Sequence, residues 1–291
     1  MKPAIIVHGG CGTVPASEES PRNAVCQQAA ATGYEMLEKG CAALEACETA
    51  VNVLEDSSIL NAGLGASRQA DGGVRRDASI MTSERRAGAV AQVPFLRNPI
   101  SLSAYLLRQD AHVMLCGREA FLLGLRLGHP CAFTTPEVRN NYWREHLTDA
   151  CLDLDYEALA KEWKEANPRL GTVGCVCRDQ NGGLAAGTST GGMGQAYPGR
   201  VGDSPIIGAG TYCTPRVGVS MTGVGERIMV LLSAKALCDF VKSGITLEEA
   251  ARRVLKEIEQ FSNGSAGLIA LGASGDGVAL KNTSFMACAR I

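Results

Sequence analysis

Hydroxyl residues stand at both ends of one short stretch, LGTVGCVCRDQNGGLAAGTSTGG, residues 170–192. Gly171-Thr172 opens it, and Thr188-Ser189-Thr190 followed by Gly191-Gly192 closes it. Between them the sequence reads as a β-hairpin: an alternating run over 172–176, a polar turn over 179–183 and a return strand from Leu184. Such a hairpin can bring the two hydroxyl groups together. A threonine hydroxyl is too weakly acidic to attack a carbonyl unaided, and one solution is activation by its own α-amino group. That amine has an unperturbed pKa of about 7.7–8.0, so part of it is neutral near physiological pH. The threonine must then be an N-terminus, which requires a cut before it. Thr172 suits that cut: it follows a polar linker, starts a strand, and has Gly171 before it to tolerate a strained scissile geometry.

Other chemistries have less support. No glycine cluster fits a phosphate-cradling or dinucleotide-binding loop, and there is no H-E-x-x-H or cysteine quartet. His8, beside a glycine turn, reads as a hydrogen-bonded structural histidine before a catalytic one. Cys175 and Cys177 share one strand face without a second pair at zinc-site spacing. The 12 cysteines, several inside apolar patterns such as Cys47 and Cys238 on helices, read as buried thiols in a reducing compartment. Taken singly, Thr190 reads as a turn residue, Arg200 and Asp203 as a surface ion pair worth ~0–1 kcal/mol, and Glu226 as a complement to a helix N-terminus.

The elements that must position these groups follow from periodicity and punctuation. Strands are expected at 4–7, 78–81, 87–93, 217–221, 267–272 and 278–282. Helices are expected from Pro21 to 39, and over 42–54, 99–109, 117–127, 155–166, from Glu226 to 241, and over 246–261 with Thr246-x-x-Glu249 as a capping box. Residues 136–168 read as a charged surface excursion. Strand clusters separated by helix pairs argue for an α+β layered fold over a doubly wound sheet. With 46% hydrophobic residues the chain can build a large core, and 28 basic against 30 acidic residues give no reason to expect nucleic acid or an anionic membrane as partner. The apolar run at 4–7 is too short for a signal peptide and no segment matches a membrane span, so a cytoplasmic protein is expected.

Six motifs in register carry a resemblance over nearly the whole chain: His8-Gly-Gly, Asn61-Ala-Gly-x-Gly65, Asp77-Ala-Ser-Ile-Met81, Leu170-Gly-Thr-Val-Gly through Gly192, Gly199-Arg-Val-Gly-Asp-Ser-Pro205 and Thr222-Gly-x-Gly-Glu226. Together they resemble the plant-type (class 2) L-asparaginase/isoaspartyl peptidase family of N-terminal-nucleophile (Ntn) hydrolases. The resemblance implies a single four-layer αββα domain, cut between Gly171 and Thr172 into an α subunit (1–171) and a β subunit (172–291) that pair as a homodimer of αβ units. It implies Thr172 as nucleophile, with Thr190 bonded to its hydroxyl and Asn61 nearby. Arg200 would grip the substrate α-carboxylate and Asp203 its α-ammonium, while Thr222 and Gly223 would form the oxyanion hole. The substrates would be L-asparagine and β-aspartyl dipeptides. No cofactor is required; a structural sodium is implied on backbone carbonyls of Leu54, Glu55, Leu60, Ala62 and Gly65.

Some positions depart from the family pattern. Cys11 follows His-Gly-Gly, Leu60 stands before Asn61, Arg75-Arg76 precedes Asp77, and Cys213 and Arg216 alter a loop expected near the pocket. These bear on substrate preference more than on reaction type. Alternatives are glycosylasparaginase, which shares the fold and similar motifs, the endopeptidase threonine aspartase, and an uncut precursor acting as a binding protein.

Overall fold

The computed structural model describes residues 1–132, 154–165, 171–262 and 264–291. Its strands are β1 (Ala4–Gly12), β2 (Arg75–Thr82), β3 (Ala87–Pro94), β4 (Met114–Cys116), β5 (Val173–Arg178), β6 (Leu184–Thr190), β7 (Thr211–Cys213), β8 (Val217–Gly223), β9 (Ala266–Gly272), β10 (Gly277–Lys281) and β11 (Phe285–Arg290). One sheet has seven strands in the order β11-β1-β5-β6-β2-β3-β4, and the other has four in the order β10-β9-β8-β7. Neighbours run antiparallel except β3 and β4.

The helices are α1 (Ala16–Glu38), α2 (Ala43–Glu55), α3 (Pro99–Gln109), α4 (Gly117–Arg126), α5 (Tyr156–Glu165), α6 (Gly225–Leu231), α7 (Ser233–Lys242) and α8 (Leu247–Ser262). Helices α1 to α3 cover the outer face of the larger sheet, and α7 and α8 that of the smaller. Between the sheets lies a third apolar layer that includes Ile6, Met81, Val176, Ile269 and Leu271. This is the expected αββα sandwich. Helix α2 shows how the sequence builds it: Ala46, Cys47, Ala50, Val51 and Leu54 fall on one stripe and are fully buried, and burying each Val or Leu side chain stabilises by about 1.5–3 kcal/mol. No helix among the described residues is long and apolar enough to cross a membrane.

Several expected boundaries move. Helix α1 starts at Ala16, with Pro21 inside it. The single helix expected up to residue 241 is two, because Leu232 takes a left-handed conformation (φ 47°) and the amides of Ala234 and Lys235 bond to the carbonyls of Ala209 and Gly208. Only half of the capping box forms: the Glu249 amide donates to Thr246 Oγ1 at 3.3 Å, while the Glu249 carboxylate takes Arg253. Strands β4, β7 and β11 are additional, and β11 pairs with β1. Most of 136–168, and Leu170, lie outside the described residues.

Glu55 ends α2 inside the core and ties three elements together. Ser189 on β6 donates to its Oε1 at 2.6 Å and the Ile100 amide of α3 donates at 3.1 Å. Burial pushes this carboxyl up to about 8, against the pull of those hydrogen bonds. Its folded pKa lies above the unfolded value of about 4.3. The stability it contributes is therefore complete below that value and is lost as pH rises through about 8. Glu55→Gln keeps the acceptor without the charge. It is expected to match the parent near pH 4 and to melt above it at pH 9, which thermal unfolding across pH checks.

Candidate active site

The hairpin β5–β6 pairs in the register Val173↔Ser189, which sets Thr172 beside Thr190. Thr172 Oγ1 donates to Thr190 Oγ1 at 3.2 Å, and the Gly192 amide donates to the same Thr190 oxygen at 3.1 Å. Both threonines are buried. Asn61 does not hydrogen-bond Thr172. It holds the turn behind Thr190 instead: its Nδ2 donates to Gly192 O at 2.6 Å, its carbonyl accepts the Gly191 amide at 2.9 Å, and its Oδ1 accepts the Ser67 amide at 2.9 Å. His8 is fully buried against Ser220 Oγ at 3.0 Å and meets the Thr172 backbone; burial pushes its ring down to about 3, so it is neutral.

The bond before Thr172 is hemmed in from both sides. A Cβ on Gly10 (φ +93°) would lie 2.6 Å from Gly171 Cα and 2.9 Å from its carbonyl carbon, and one on Gly171 would lie 2.7 Å from Asn61 Cβ. Gly10→Ala is therefore expected to displace the Gly171–Thr172 peptide and to slow any cleavage there at least tenfold, with the fold kept. A time course of chain splitting on gels, beside circular dichroism, tests this.

Opposite the hairpin, Thr172, Thr190, Arg200, Asp203 and Gly223 line one cavity of about 10 Å³, room for about one water. Arg200 is bound bidentately by Glu226, Nε to Oε1 and Nη2 to Oε2, both at 2.8 Å. Burial works against the Glu226 charge, but the Arg200 bonds outweigh it and lower the carboxyl. Gly225 leaves the space for this cluster, since a Cβ there would lie 2.8 Å from both Arg200 Nη2 and Asp203 Oδ1. Asp203 Oδ2 and Thr222 Oγ1 are buried without a hydrogen-bond partner. Unsatisfied buried polar atoms are costly; Asp203 lines the Thr172 cavity, where a substrate's polar group would satisfy it, while Thr222 sits behind the lining residue Gly223. Burial pushes Asp203 up to about 7 and Asp77 up to about 6, with Arg200 opposing both.

Sequence reasoning assigned no role to Asp77, Gln92 or Gly225, and it read Glu226 only as a complement to a helix N-terminus. Asp77 Oδ1 accepts the Gln92 amide at 2.7 Å, and Gln92 Nε2 donates to Arg200 O at 2.6 Å, so this pair holds the Arg200 backbone from behind. Asp77 and Glu226 stood inside quoted motifs, which was the available signal; Gln92 left none. Glu226→Gln keeps one hydrogen bond to Arg200 but removes the ion pair. The expected result is a several-fold higher KM with kcat little changed, read from steady-state kinetics.

The implied cation loop fits in part. A Cβ on Gly63 would lie 2.1 Å from Glu55 O, and one on Gly65 would lie 2.1 Å from Leu60 O and 2.8 Å from Ser58 O. Neutral carbonyl oxygens crowded at a turn suit a hard cation. Of the expected ligands, Leu54 O accepts the Ser57 amide at 3.3 Å, Leu60 O the Ala62 amide at 2.9 Å and Ala62 O the Gly65 amide at 3.0 Å. Among the departures, Cys11 packs under the site with Sγ 3.6 Å from Thr222 O, and Arg75 pairs with Asp71 at 2.7 Å. Cys213 and Arg216 do not line the Thr172 cavity; Arg216 lines two others, and Cys213 is buried on β7.

A family model described as an asparaginase matches residues 1–291. The plant-type L-asparaginase of Pyrococcus furiosus is 38% identical, over 98% of this chain and 95% of its own length. The isoaspartyl peptidase of Escherichia coli K12 is 37% identical, over 98% of this chain and 91% of its own. The isoaspartyl peptidase/L-asparaginase of Xenopus laevis is 35% identical, over 100% of this chain and 93% of its own. Relatives matched from end to end, together with a family model that spans every residue, mean that this chain belongs to the asparaginase family.

Proposed function

We propose that this hydrolase cuts itself between Gly171 and Thr172 and then hydrolyses L-asparagine and β-aspartyl dipeptides through Thr172. The observation that carries this reading is the 3.2 Å bond from Thr172 Oγ1 to Thr190 Oγ1, made beside the confined Gly171 peptide and facing Arg200 and Asp203 across one cavity. In the cut, Thr172 Oγ1 attacks the Gly171 carbonyl carbon. The C–N bond breaks as the nitrogen takes up a proton, and water hydrolyses the resulting ester to leave a free α-amine on Thr172.

In turnover, the Thr172 amine accepts the hydroxyl proton and Oγ1 attacks the substrate β-carbonyl carbon. Thr222 Oγ1 and the Gly223 amide hold the oxyanion, an effect typically worth about 2.7–4 kcal/mol per donor. The amine returns the proton to the leaving nitrogen, which departs as ammonia or as an amino acid, and water releases aspartate from the ester. Arg200 takes the α-carboxylate as a planar fork, and Asp203 takes the α-ammonium. Both demand a free amino-acid end, which disfavours an endopeptidase. Sodium, held by Glu55 and Leu60 carbonyls among others, would brace the loop that carries Asn61.

We also place the working protein in the cytoplasm as a dimer of αβ units, 1–171 and 172–291. Exposed Val113, Met114, Leu122 and Leu125 near the β4 edge offer apolar surface for that contact. The test is aspartate release from L-asparagine, β-aspartyl-leucine, α-aspartyl-leucine and a glycosylated asparagine. Release from the first two alone is expected. Release from the glycosylated substrate alone would move the reading to glycosylasparaginase, and release from none to a non-catalytic precursor.

A further inference from the structure

Cys47 on α2 and Cys175 and Cys177 on β5 bring three thiols together outside the site just described. Their sulfurs all lie within 4.8 Å of one another, and all three residues are fully buried. The two strand sulfurs are 3.3 Å apart, and Cys47 Sγ lies 3.5 Å from Cys175 O. Alternation along β5 turns positions 175 and 177 to the same side of the sheet, and α2 packs across that side. Glycine at 187, the register partner of Cys175, makes room for the third sulfur: a Cβ there would lie 3.1 Å from Cys47 Sγ.

We propose that Cys47, Cys175 and Cys177 form a buried site for a soft monovalent cation of the copper(I) class. With metal–sulfur bonds of about 2.3 Å, three sulfurs around one ion sit about 4 Å apart, so small shifts of these side chains close the triangle. A sulfur-only donor set selects copper(I) over hard cations. Structural zinc takes four ligands, and no fourth His, Asp, Glu or Cys ligand atom joins these three among the described residues.

Charge supports the same choice. The space around Cys47 is apolar, with Ile80 and Ile100 beside Gly187, and a net charge buried there is costly. One copper(I) ion displacing one thiol proton to solvent leaves one thiolate and two neutral thiols around a single positive charge, which is neutral overall. No electron is transferred. The ion enters as the chain folds, and it joins α2 to β5 three residues beyond Thr172.

The experiment is the copper content of protein made in copper-supplemented cells and purified without oxygen through bathocuproine disulfonate, which strips exposed copper. About one copper per chain is expected, with a copper–thiolate absorption band and a melting temperature several degrees above that of copper-free protein. Cys47→Ser and, separately, Cys175→Ala/Cys177→Ala should lose the metal and the band, while Cys116→Ala, altering an exposed thiol, should keep both. Absence of copper from the parent overturns the proposal. So does copper retained in both cluster variants, or a parent mass lower by two hydrogens with Cys175 and Cys177 joined. Aspartate release is unaffected by either result, so the copper content and the hydrolytic reading are judged separately.

Discussion

Thr172→Ala is expected to leave one uncut chain and to lower asparagine turnover on the order of 10⁴-fold or more, since it removes the attacking oxygen of both reactions. The alanine fits the buried position without new contacts, so circular dichroism and melting should stay near those of the parent. Thr172→Ser separates hydroxyl chemistry from packing. Its hydroxyl still reaches Thr190, but it lacks the methyl group that fixes the rotamer, so both splitting and turnover should continue at reduced rates. Thr190→Ala removes the acceptor at 3.2 Å and frees the Gly192 amide; it should slow both steps together. Turnover retained by Thr172→Ala would remove Thr172 from the mechanism.

Asp203→Asn is expected to raise KM for L-asparagine by about 30-fold or more, because truncating one partner of a buried charge pair costs about 2–5 kcal/mol. The same change should make the protein more stable. Burial holds the empty-site carboxyl at about 7, above the unfolded value of about 3.9. The stability that Asp203 contributes is therefore complete below the unfolded value and is lost as pH rises through about 7. The asparagine variant should melt with the parent at pH 4 and above it at pH 8.

Activity runs in the opposite direction to stability. Binding the ammonium needs ionised Asp203, and attack needs the neutral Thr172 amine, so kcat/KM should climb from pH 6 to a plateau above pH 8. Asp77, Arg200 and Glu226 face the same carboxyl and shift its midpoint. A profile that is flat from pH 5 to 8 would contradict the ammonium role.

Local signals made much of this legible. The hairpin, its turn and the meeting of Thr172 with Thr190 follow from alternation and glycine punctuation, and α2 and α3 from apolar spacing. The misses come from long-range contacts. β11 is a short Ala/Cys strand whose pairing partner β1 lies at the other end of the chain. β4 and β7 are three residues each, too short to show a period. Leu232 is not a breaking residue, and only bonds to Gly208 and Ala209 explain the break there. Pro21 forfeits only the bond to the Ser17 carbonyl, which α1 absorbs near its start.

In the site, the motifs named the residues, but not who holds whom. Asn61 braces the 191–192 turn, and Glu226 occupies Arg200, through pairings that sequence spacing does not reveal. The thiol cluster needed the same information: Cys175 and Cys177 were legible as a pair, and packing supplied Cys47.

Intact mass with N-terminal sequencing of the purified protein tests the central claim most directly. The account predicts two chains, the second beginning Thr-Val-Gly-Cys-Val-Cys, and one uncut chain in Thr172→Ala. A parent that stays uncut while releasing aspartate from L-asparagine would contradict it, because Thr172 would then act without the free amine on which the mechanism depends.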